Sequence, residues 1–413
     1  MSQLDPGASS TWGELQNRYG DNRPRRLLAL DGGGIRGLIT LQVLQKLEAD
    51  LAKKYRMGSS FRLCQFFDYI GGTSTGAIIA GALAIGMPVK DVLEFYNEFG
   101  KEAFAKRKWY ERWKSFYGDG KLQQKLQEVY GSKSDLIARA PGEALDPDRK
   151  HLKTLFLAVT KNKTTDSAWP LSSNPNAKYN DASRADCNLR IPIWKIVRAS
   201  TAAPVYFPPE VINWDPNDTS KAFVFVDGGT TSYNCPAFVL ARMATEPRYK
   251  LEWARGEKNL LVVSIGTGFA PVKGVDAEEP ETNVASAAKN TLEGLMSQAL
   301  FDQDINCRTV GRCSFGHPLD REVGDLVITK NGKPVPLTTD SGRAFLYARY
   351  NAELTTDGLK ALGLGRSRID PTAVNTLDAV DQMPALVRIG KALAKQVSLK
   401  HLGDFTKVPL YEG

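Results

Sequence analysis

The chain alternates between short apolar runs and segments in which apolar residues return every three or four positions. The apolar runs predict β-strands at residues 25–30, 61–72, 154–159, 223–226 and 259–265. The helical spacing is clearest after the first run, in Leu38, Leu41, Leu44, Leu47 and Leu51. Strands that alternate with helices favour an α/β fold with a mainly parallel central sheet.

The two ends of the chain follow a different pattern. Residues 1–24 are polar and rich in Gly, Ser and Asn, which predicts a flexible N-terminal arm. Residues 25–270 carry the alternating pattern of a main domain, and an acidic, proline-containing linker follows. The extension 271–413 is predicted to be mostly helical and to pack on the main domain as a cap or regulatory region. Its predicted helices are Thr291–Leu300, Ala344–Leu354 and Thr376–Val397, the last with a kink at Pro384.

Composition limits the kinds of protein that this chain can be. Hydrophobic residues make up 42% of its 413 residues, which is enough for a sizeable core. The five cysteines include no C-x-x-C pair and the three histidines lack metal-ligand spacing, so we expect no metal and no cofactor. The N-terminus has no apolar signal segment, and scattered cysteines fit reduced thiols, so we expect a cytoplasmic protein.

The net charge of the chain indicates which kinds of partner it could attract. Lys and Arg number 54 against 46 Asp and Glu, which gives a net charge of +8. Such a surplus is compatible with an anionic membrane surface, a nucleotide or a nucleic acid. The uncharged stretch Tyr69–Val89 contains five glycines and Pro88, which argues against a membrane-spanning helix there.

A strand-to-helix turn at Ser74 is the first candidate for chemistry. The apolar run before it ends in Gly72-Thr-Ser74-Thr-Gly76, and a helix pattern of small residues follows directly. Gly72 and Gly76 allow a tight bend that would present the Ser74 hydroxyl at the N-terminus of the next helix. This G-x-S-x-G order is typical of a nucleophile elbow, and it also occurs in turns that only begin a helix.

The glycine loop Asp31–Gly37, after the first strand, has two interpretations. Gly32, Gly34 and Gly37 match the G-x-G-x-x-G of dinucleotide sites, but the acidic residue expected at the end of the second strand is missing. The alternative is a row of backbone N–H groups that forms an oxyanion hole, with Arg36 adding positive charge. We favour the oxyanion hole, because the elbow follows in the next βα unit.

One stretch of the chain combines aromatic and basic side chains. Between Lys101 and Tyr117, the aromatic residues Phe104, Trp109 and Trp113 stand among lysines and arginines. This composition suits a lipid-facing lid, a packed helix whose charges face water, or a stacking surface for single-stranded nucleic acid. The nucleic-acid interpretation is the least favoured, and we expect no such partner.

A carboxylate followed by two glycines ends the fourth apolar run. Because Gly228 and Gly229 follow Asp227, its side chain can point into a site with little steric obstruction, although Asp-Gly pairs are also common in surface turns. If burial raises its proton affinity, Asp227 could accept the hydroxyl proton of Ser74. The chain order also allows a Ser74–Asp227–His317 triad, although the Gly-His-Pro context of His317 favours a structural role.

Three motifs in this order resemble the patatin-like phospholipase family. They are Asp31–Gly37, Gly72–Gly76 and Asp227–Gly229, with Ala-Ser-Thr-Ala-Ala-Pro and Phe-Pro-Pro at residues 199–209 between the last two. The resemblance covers residues 25–270 and the segment Arg349–Asn351. It implies a three-layer α/β/α fold and a Ser–Asp dyad with no histidine in the chemistry.

The resemblance also implies a role for each motif residue. Ser74 falls on the nucleophile of the family and Asp227 on its base. The remaining positions are Gly32, Gly33 and Gly34 on the oxyanion loop, Arg36 on its basic position, and Gly37, Gly72, Gly76, Gly228 and Gly229 as support for the motifs. The implied reaction is phospholipase A-type hydrolysis of membrane phospholipid esters through an acyl-serine intermediate, without calcium.

A hypothesis about regulation follows from the same resemblance. Bacterial members of the family include phospholipases activated by cyclic oligonucleotides in antiphage defence, and the length and basic surplus of this chain resemble theirs. We therefore expect membrane phospholipids as partners at the inner face of the membrane, contacted through the stretch around Trp109. A cyclic dinucleotide activator and a homo-oligomer are further hypotheses. The alternative is a constitutive or secreted lipase of the same family without nucleotide gating.

Overall fold

The structure is a computed structural model that describes residues 12–103, 121–204, 206–215, 218–270, 284–320 and 322–411. Its strands are β1 Arg25–Leu30, β2 Tyr69–Thr73, β3 Leu155–Asn162, β4 Ser167–Ser172, β5 Glu210–Asn213, β6 Ala222–Asp227, β7 Leu260–Ile265, β8 Arg312–Phe315, β9 Thr329–Lys330, β10 Lys333–Pro334 and β11 Leu346–Tyr350. Its α-helices are α1 Gln16–Tyr19, α2 Gly37–Tyr55, α3 Leu63–Phe66, α4 Thr75–Ala84, α5 Val89–Ala103, α6 Lys121–Tyr130, α7 Ile193–Ser200, α8 Ala237–Thr245, α9 Val284–Val310, α10 Thr356–Ala361, α11 Pro371–Asn375 and α12 Met383–Ala394.

A sheet of nine described strands forms the centre of the molecule. Its order is β5-β6-β3-β2-β1-β7-β11-β8, and β4 pairs with β3 outside this path. The strands from β3 to β8 along this order pair in parallel, whereas the pairs β3–β4, β3–β6 and β5–β6 are antiparallel. The predicted α/β fold with a mainly parallel sheet is confirmed.

Both faces of the sheet are covered, which β1 shows most directly. Leu27 and Ala29 pack in one apolar cluster together with Leu240 of α8. Leu28 and Leu30, which point to the other face, pack in a second cluster that includes α2 and α4. Because successive side chains of a strand point to opposite faces, a strand buried on both faces lies in the middle layer of three.

The first two βα units follow the sequence pattern with one difference. β1 leads through the glycine loop into α2, as predicted. The run at residues 61–72 is only partly a strand, because Leu63–Phe66 forms a short helix and β2 begins at Tyr69. All ten residues of α4 are buried, as expected for a helix that is apolar nearly all round.

The N-terminal segment is packed where it is described. Trp12 and Arg18 are buried, and the Arg18 guanidinium donates to the carbonyl oxygens of Cys64 at 2.7 Å and Phe67 at 2.8 Å. It also pairs with the carboxylate of Asp68 at 3.2 Å. The prediction of a flexible arm is therefore wrong for residues 12–24, because one arginine ties this segment to the sheet.

The C-terminal third contributes strands as well as helices. The predicted helix at Ala344–Leu354 is instead β11, which pairs with β7 and β8 and lies inside the sheet. Its five residues are all buried, and their mixture of aromatic, small and charged residues hides the apolar run typical of a buried strand. Within Thr376–Val397 the helix is α12, and Pro384 stands in its first turn and does not kink it.

Two sequence predictions concern residues that the structure does not describe. Phe104, Trp109 and Trp113 of the basic–aromatic stretch lie outside the described ranges, and so does the linker after residue 270. Among the helices that are described, none is both long and apolar enough to cross a membrane.

Candidate active site

Three motifs meet at one edge of the sheet, two of them after the parallel strands β1 and β2 and the third at the end of β6, which is antiparallel to β3. The glycine loop follows β1, Ser74 follows β2, and Thr267 lies just after β7. Asp227 is the last residue of β6 and pairs with Thr160 near the end of β3. The carboxyl ends of parallel strands are the usual place for a site in an open α/β sheet.

Ser74 occupies a strained turn between β2 and α4. Its φ of 53° and ψ of −124° lie outside the regions that non-glycine residues favour. The neighbouring glycines permit this turn, because a Cβ at Gly72 would stand 2.1 Å from the carbonyl oxygen of Gly76. A Cβ at Gly76 would stand 2.1 Å from the carbonyl oxygen of Leu30. The predicted sharp turn, with Ser74 at the N-terminus of a helix, is confirmed.

The Ser74 hydroxyl bonds directly to the carboxylate of Asp227. Ser74 Oγ donates to Asp227 Oδ2 at 2.6 Å, and the N–H of Gly229 donates to Oδ1 at 2.6 Å. Only 8% of Ser74 and 2% of Asp227 are exposed. Burial raises the pKa of Asp227 to about 6, against the opposing effect of these two hydrogen bonds. The carboxylate is thus mostly ionised at neutral pH and is a stronger base than an exposed one.

The glycine loop presents two unused backbone donors near this pair. The N–H of Gly32 donates to the carbonyl oxygen of Asn234 at 3.1 Å and is therefore engaged. Within the described part of the chain, no acceptor bonds the N–H of Gly33 or Gly34. Of the three glycines predicted for the oxyanion loop, Gly33 and Gly34 thus have free donors.

Three neighbouring side chains bond the backbone carbonyl oxygens of the glycine loop. Arg36 donates through Nε to the Gly33 oxygen at 3.3 Å and through a terminal nitrogen to Asn375 at 2.7 Å. Thr75 donates to the Gly34 oxygen at 2.8 Å, and the hydroxyl of Tyr96 bonds the same oxygen. Arg36, predicted as the basic residue of an oxyanion hole, therefore stabilises the loop through a hydrogen bond to its Gly33 carbonyl oxygen.

Sequence reasoning missed a serine that positions the elbow. The backbone N–H of Ser74 donates to Ser200 Oγ at 2.9 Å, and that hydroxyl donates to the Val159 carbonyl at 2.6 Å. Ser200 ends α7 and is fully buried. The only signal for it in the sequence is its place in the Ala-Ser-Thr run between the second and third motifs.

A buried ion pair fixes the start of the glycine loop. Arg349 of β11 donates to both carboxylate oxygens of Asp31, at 2.9 and 2.5 Å, and neither side chain is more than 1% exposed. It also donates to Ser264 Oγ of β7 at 2.6 Å. The two partners are 318 positions apart, so the sequence pattern gives no sign that they pair.

His317 does not join the serine and the aspartate. Its Nε2 bonds Gln396 Oε1 at 2.8 Å, and its ring packs against Phe315 with centroids 5.9 Å apart. Among the described contacts of His317, none involves Ser74 or Asp227. The structure brings together two members of the alternative triad and leaves out the third.

A strained serine bonded to a buried carboxylate, beside a glycine loop in a three-layer α/β/α fold, defines an α/β protein of the nucleophile-elbow class. The comparison with known families identifies the family within this class. The chain belongs to the patatin-like phospholipase family, whose sequence model matches residues 28–241.

Patatins from Solanum tuberosum are among its relatives by sequence. Patatin group J-1 from Solanum tuberosum is 28% identical over 278 residues, which is 63% of each chain. Patatin-15 from the same organism is 28% identical over 260 residues, 59% of this chain and 60% of its own length. The chain thus spans less than two thirds of the length of these relatives.

Two solved structures are similar at low identity. VipD from Legionella pneumophila superposes with a TM-score of 0.32 at 15% identity, over 89% of this chain and 67% of that one. Human GIVD cytosolic phospholipase A2, in complex with methyl gamma-linolenyl fluorophosphonate, gives a TM-score of 0.37 at 12% identity, over 97% and 63%.

Proposed function

We propose that this protein is a lipid acyl hydrolase of the phospholipase A type, with Ser74 as nucleophile and Asp227 as general base. The observation that carries the proposal is the 2.6 Å hydrogen bond from Ser74 Oγ to Asp227 Oδ2. A serine hydroxyl becomes an effective nucleophile when a base in hydrogen-bond reach accepts its proton. Membership of the patatin-like phospholipase family supports ester-linked lipids as the substrate class.

In the acylation step, Asp227 takes the Ser74 proton while Oγ attacks the ester carbonyl carbon. The tetrahedral intermediate then collapses and expels the alcohol part of the lipid, which receives the proton from Asp227. The free N–H groups of Gly33 and Gly34 are the donors that we assign to the oxyanion. In comparable sites one such donor contributes about 3–4 kcal/mol to the transition state.

The finer parts of the proposal concern membrane and regulation. We propose action at the surface of phospholipid membranes, at the inner face of the cell membrane. The net charge of +8 supports attraction to an anionic bilayer. Activation by a cyclic dinucleotide and assembly into a homo-oligomer stay predictions that rest on the resemblance to bacterial family members.

The test is release of fatty acid from vesicles of anionic phospholipid, with and without a panel of cyclic dinucleotides. We expect release by the wild-type protein and its loss in Ser74→Ala and Asp227→Asn, and no more than a small change in His317→Ala. Release that needs a nucleotide would support gating, and release without one would leave a constitutive hydrolase. Release that persists in both dyad variants would overturn the assignment.

A further inference from the structure

A buried carboxamide next to the serine–aspartate pair has an acceptor without a partner. Asn234 lies between the loop that follows Asp227 and helix α8, and 3% of it is exposed. Its Nδ2 donates to the carbonyl oxygen of Met296 on α9 at 3.3 Å. Its Oδ1 has no hydrogen-bond partner within the described structure. A buried unpaired acceptor costs about 1–3 kcal/mol, so a residue of this kind calls for a reason.

The unpaired oxygen faces the groups that would perform the reaction. It lies 2.3 Å from the point where a Cβ would stand at Gly32, and Ser74 Cβ lies 3.3 Å from the same point. It lies 3.1 Å from the corresponding point at Gly229, and Asp227 Oδ1 lies 3.0 Å from that one. Asn234 Oδ1 therefore lies against both the glycine loop and the loop that follows Asp227, and the points that it approaches there are also approached by Ser74 Cβ and by Asp227 Oδ1.

The orientation of this carboxamide is determined by α9. If the side chain were flipped, its oxygen would face the carbonyl oxygen of Met296 and two acceptors would meet. Its NH₂ group would then be the group without a partner. The hydrogen bond to Met296 thus keeps the acceptor directed toward Gly32 and Gly229.

We infer that Asn234 positions the water that hydrolyses the acyl-serine, an assignment that rests on the proposed function. In the free protein, Asp227 Oδ2 accepts a hydrogen bond from the Ser74 hydroxyl. Once Ser74 is acylated, its oxygen carries no proton, and Oδ1 of Asp227 is already bonded to Gly229. Asp227 Oδ2 and Asn234 Oδ1 are then two open acceptors, which match the two O–H groups of one water molecule.

Hydrolysis of the acyl-serine needs only this water, Asp227 and Ser74. Asp227 Oδ2 takes one proton of the water, and the resulting hydroxide forms a bond to the acyl carbon. The tetrahedral intermediate collapses, the bond from this carbon to Ser74 Oγ breaks, and Oγ recovers the proton from Asp227. The fatty acid leaves. Asn234 accepts a hydrogen bond from the second O–H of the water and takes part in no bond exchange, so it is a positioning residue.

The test separates acylation from deacylation. The protein is mixed with an excess of a p-nitrophenyl ester, release of p-nitrophenol reports acylation, and acid-quenched samples report the acyl-serine by intact mass. Asn234→Ala and Asn234→Leu both remove the acceptor, and the leucine fills most of the space. We expect acylation within a few fold of wild type and deacylation slowed by about 10²-fold, so that the acyl-serine accumulates.

Asn180→Ala is the matched control. Asn180 is also buried, and its Nδ2 donates to the carbonyl oxygens of Ser172 and Asn174, both at 2.7 Å. This variant loses a buried carboxamide away from the pair, so it should lower stability without accumulation of the acyl-serine.

Two results would overturn the assignment. Folded Asn234 variants that deacylate at the wild-type rate would do so, and so would variants that lose both steps in equal measure, which is the result for a purely structural asparagine. A wild-type protein that shows neither p-nitrophenol release nor an acyl adduct would overturn the proposed function itself. The two failures are therefore distinguishable.

Discussion

At Asp227, burial and hydrogen bonding act on the carboxylate in opposite directions, and burial has the larger effect. The pKa of about 6 that results is a compromise useful for a base. A carboxylate with a much lower pKa would bind a proton too weakly, and one with a much higher pKa would be protonated at neutral pH. In the proposed mechanism, a buried aspartate therefore takes the part that a histidine has in a Ser-His-Asp triad.

The pH dependence of the reaction follows from this pKa. Because the base must be deprotonated, kcat/KM for a soluble p-nitrophenyl ester should rise with pH through an apparent pKa of about 6 and then level off. Rates measured from about pH 4.5 to about 8.5 give the profile. The same midpoint is expected in His317→Ala. A profile of His317→Ala that lacks this midpoint would contradict its assignment to Asp227.

The same pKa predicts an effect on stability. The folded protein binds a proton at Asp227 more tightly than the unfolded chain, where the pKa is about 3.9. The favourable contribution is complete below about pH 4 and is lost as the pH rises through about 6. Asp227→Asn does not titrate, so at pH 8 it should be more stable than wild type by on the order of 1–3 kcal/mol, and by less at pH 5.

Urea unfolding at the two pH values measures this difference. Asp166→Asn is the control, because Asp166 is largely exposed and its pKa is lowered by a hydrogen bond from Lys161. Its stabilising effect is present at pH 8, so its replacement should not stabilise the protein there. A stability gain in Asp227→Asn that is independent of pH would contradict the account.

The two candidate catalytic residues could be picked out from the sequence alone. Ser74 and Asp227 each stand at the end of an apolar run and beside glycines, and both features are local in the sequence. Ser200 and Asn234 carry no such signal, because their importance lies in one hydrogen bond or one unpaired atom that only the folded chain creates.

At the scale of elements, the elbow depends on how closely α4 approaches β1. A Cβ at Gly76 would lie 2.1 Å from the carbonyl oxygen of Leu30 and 2.7 Å from that of Asp31. Both are backbone atoms of the strand and the glycine loop, so neither can move without shifting the site. One contact therefore fixes the position of the helix that follows Ser74 relative to the glycine loop, to which we assign the oxyanion donors.

Gly76→Ala should accordingly destabilise the protein by about 1–3 kcal/mol or more and abolish hydrolysis. Urea unfolding and ester hydrolysis measure the two effects. Gly365→Ala is the control, because its nearest neighbour is the flexible Lys360 side chain at 3.3 Å, and it should change stability by no more than about 0.5 kcal/mol. A folded, active Gly76→Ala protein would show that α4 can move away from β1.

Elements with a uniform hydrophobic pattern were predictable from the sequence, and elements with a mixed pattern were not. β1, α2 and α4 have uniform patterns, and the structure places them as predicted. β11 contains a buried charged residue, Arg349, whose charge is balanced by the carboxylates of Asp31 at 2.5 Å and Asp304 at 3.8 Å. A strand whose burial depends on a distant partner cannot be read from local periodicity.

At the scale of the whole molecule, the C-terminal third completes the sheet. β11 lies between β7 and β8, and its Arg349 reaches across β7 to Asp31, the first residue of the glycine loop. The candidate site, at the carboxyl ends of the parallel strands, therefore depends on residues from both the N-terminal and the C-terminal part of the chain. No local pattern carries this information, which explains why sequence reasoning treated the C-terminal third as an appended region.

Arg349→Met tests this dependence. Removal of the arginine leaves the Asp31 carboxylate buried without a charged partner, which should cost about 3–5 kcal/mol of unfolding free energy and lower activity with it. Lys46→Met is the control, because Lys46 pairs with Asp50 at the surface and should contribute no more than about 0.5 kcal/mol. Equal stability of the two variants in urea would contradict the structural role of the pair.

The central claim is that Ser74 is activated directly by Asp227. The most direct measurement is covalent labelling with a long-chain alkyl fluorophosphonate, followed by peptide mass spectrometry to locate the adduct and by the rate of its formation. The account predicts an adduct on Ser74 that forms at a similar rate in His317→Ala and is lost or greatly slowed in Asp227→Asn. An adduct on another residue, or a rate that falls as far in His317→Ala as in Asp227→Asn, would contradict it.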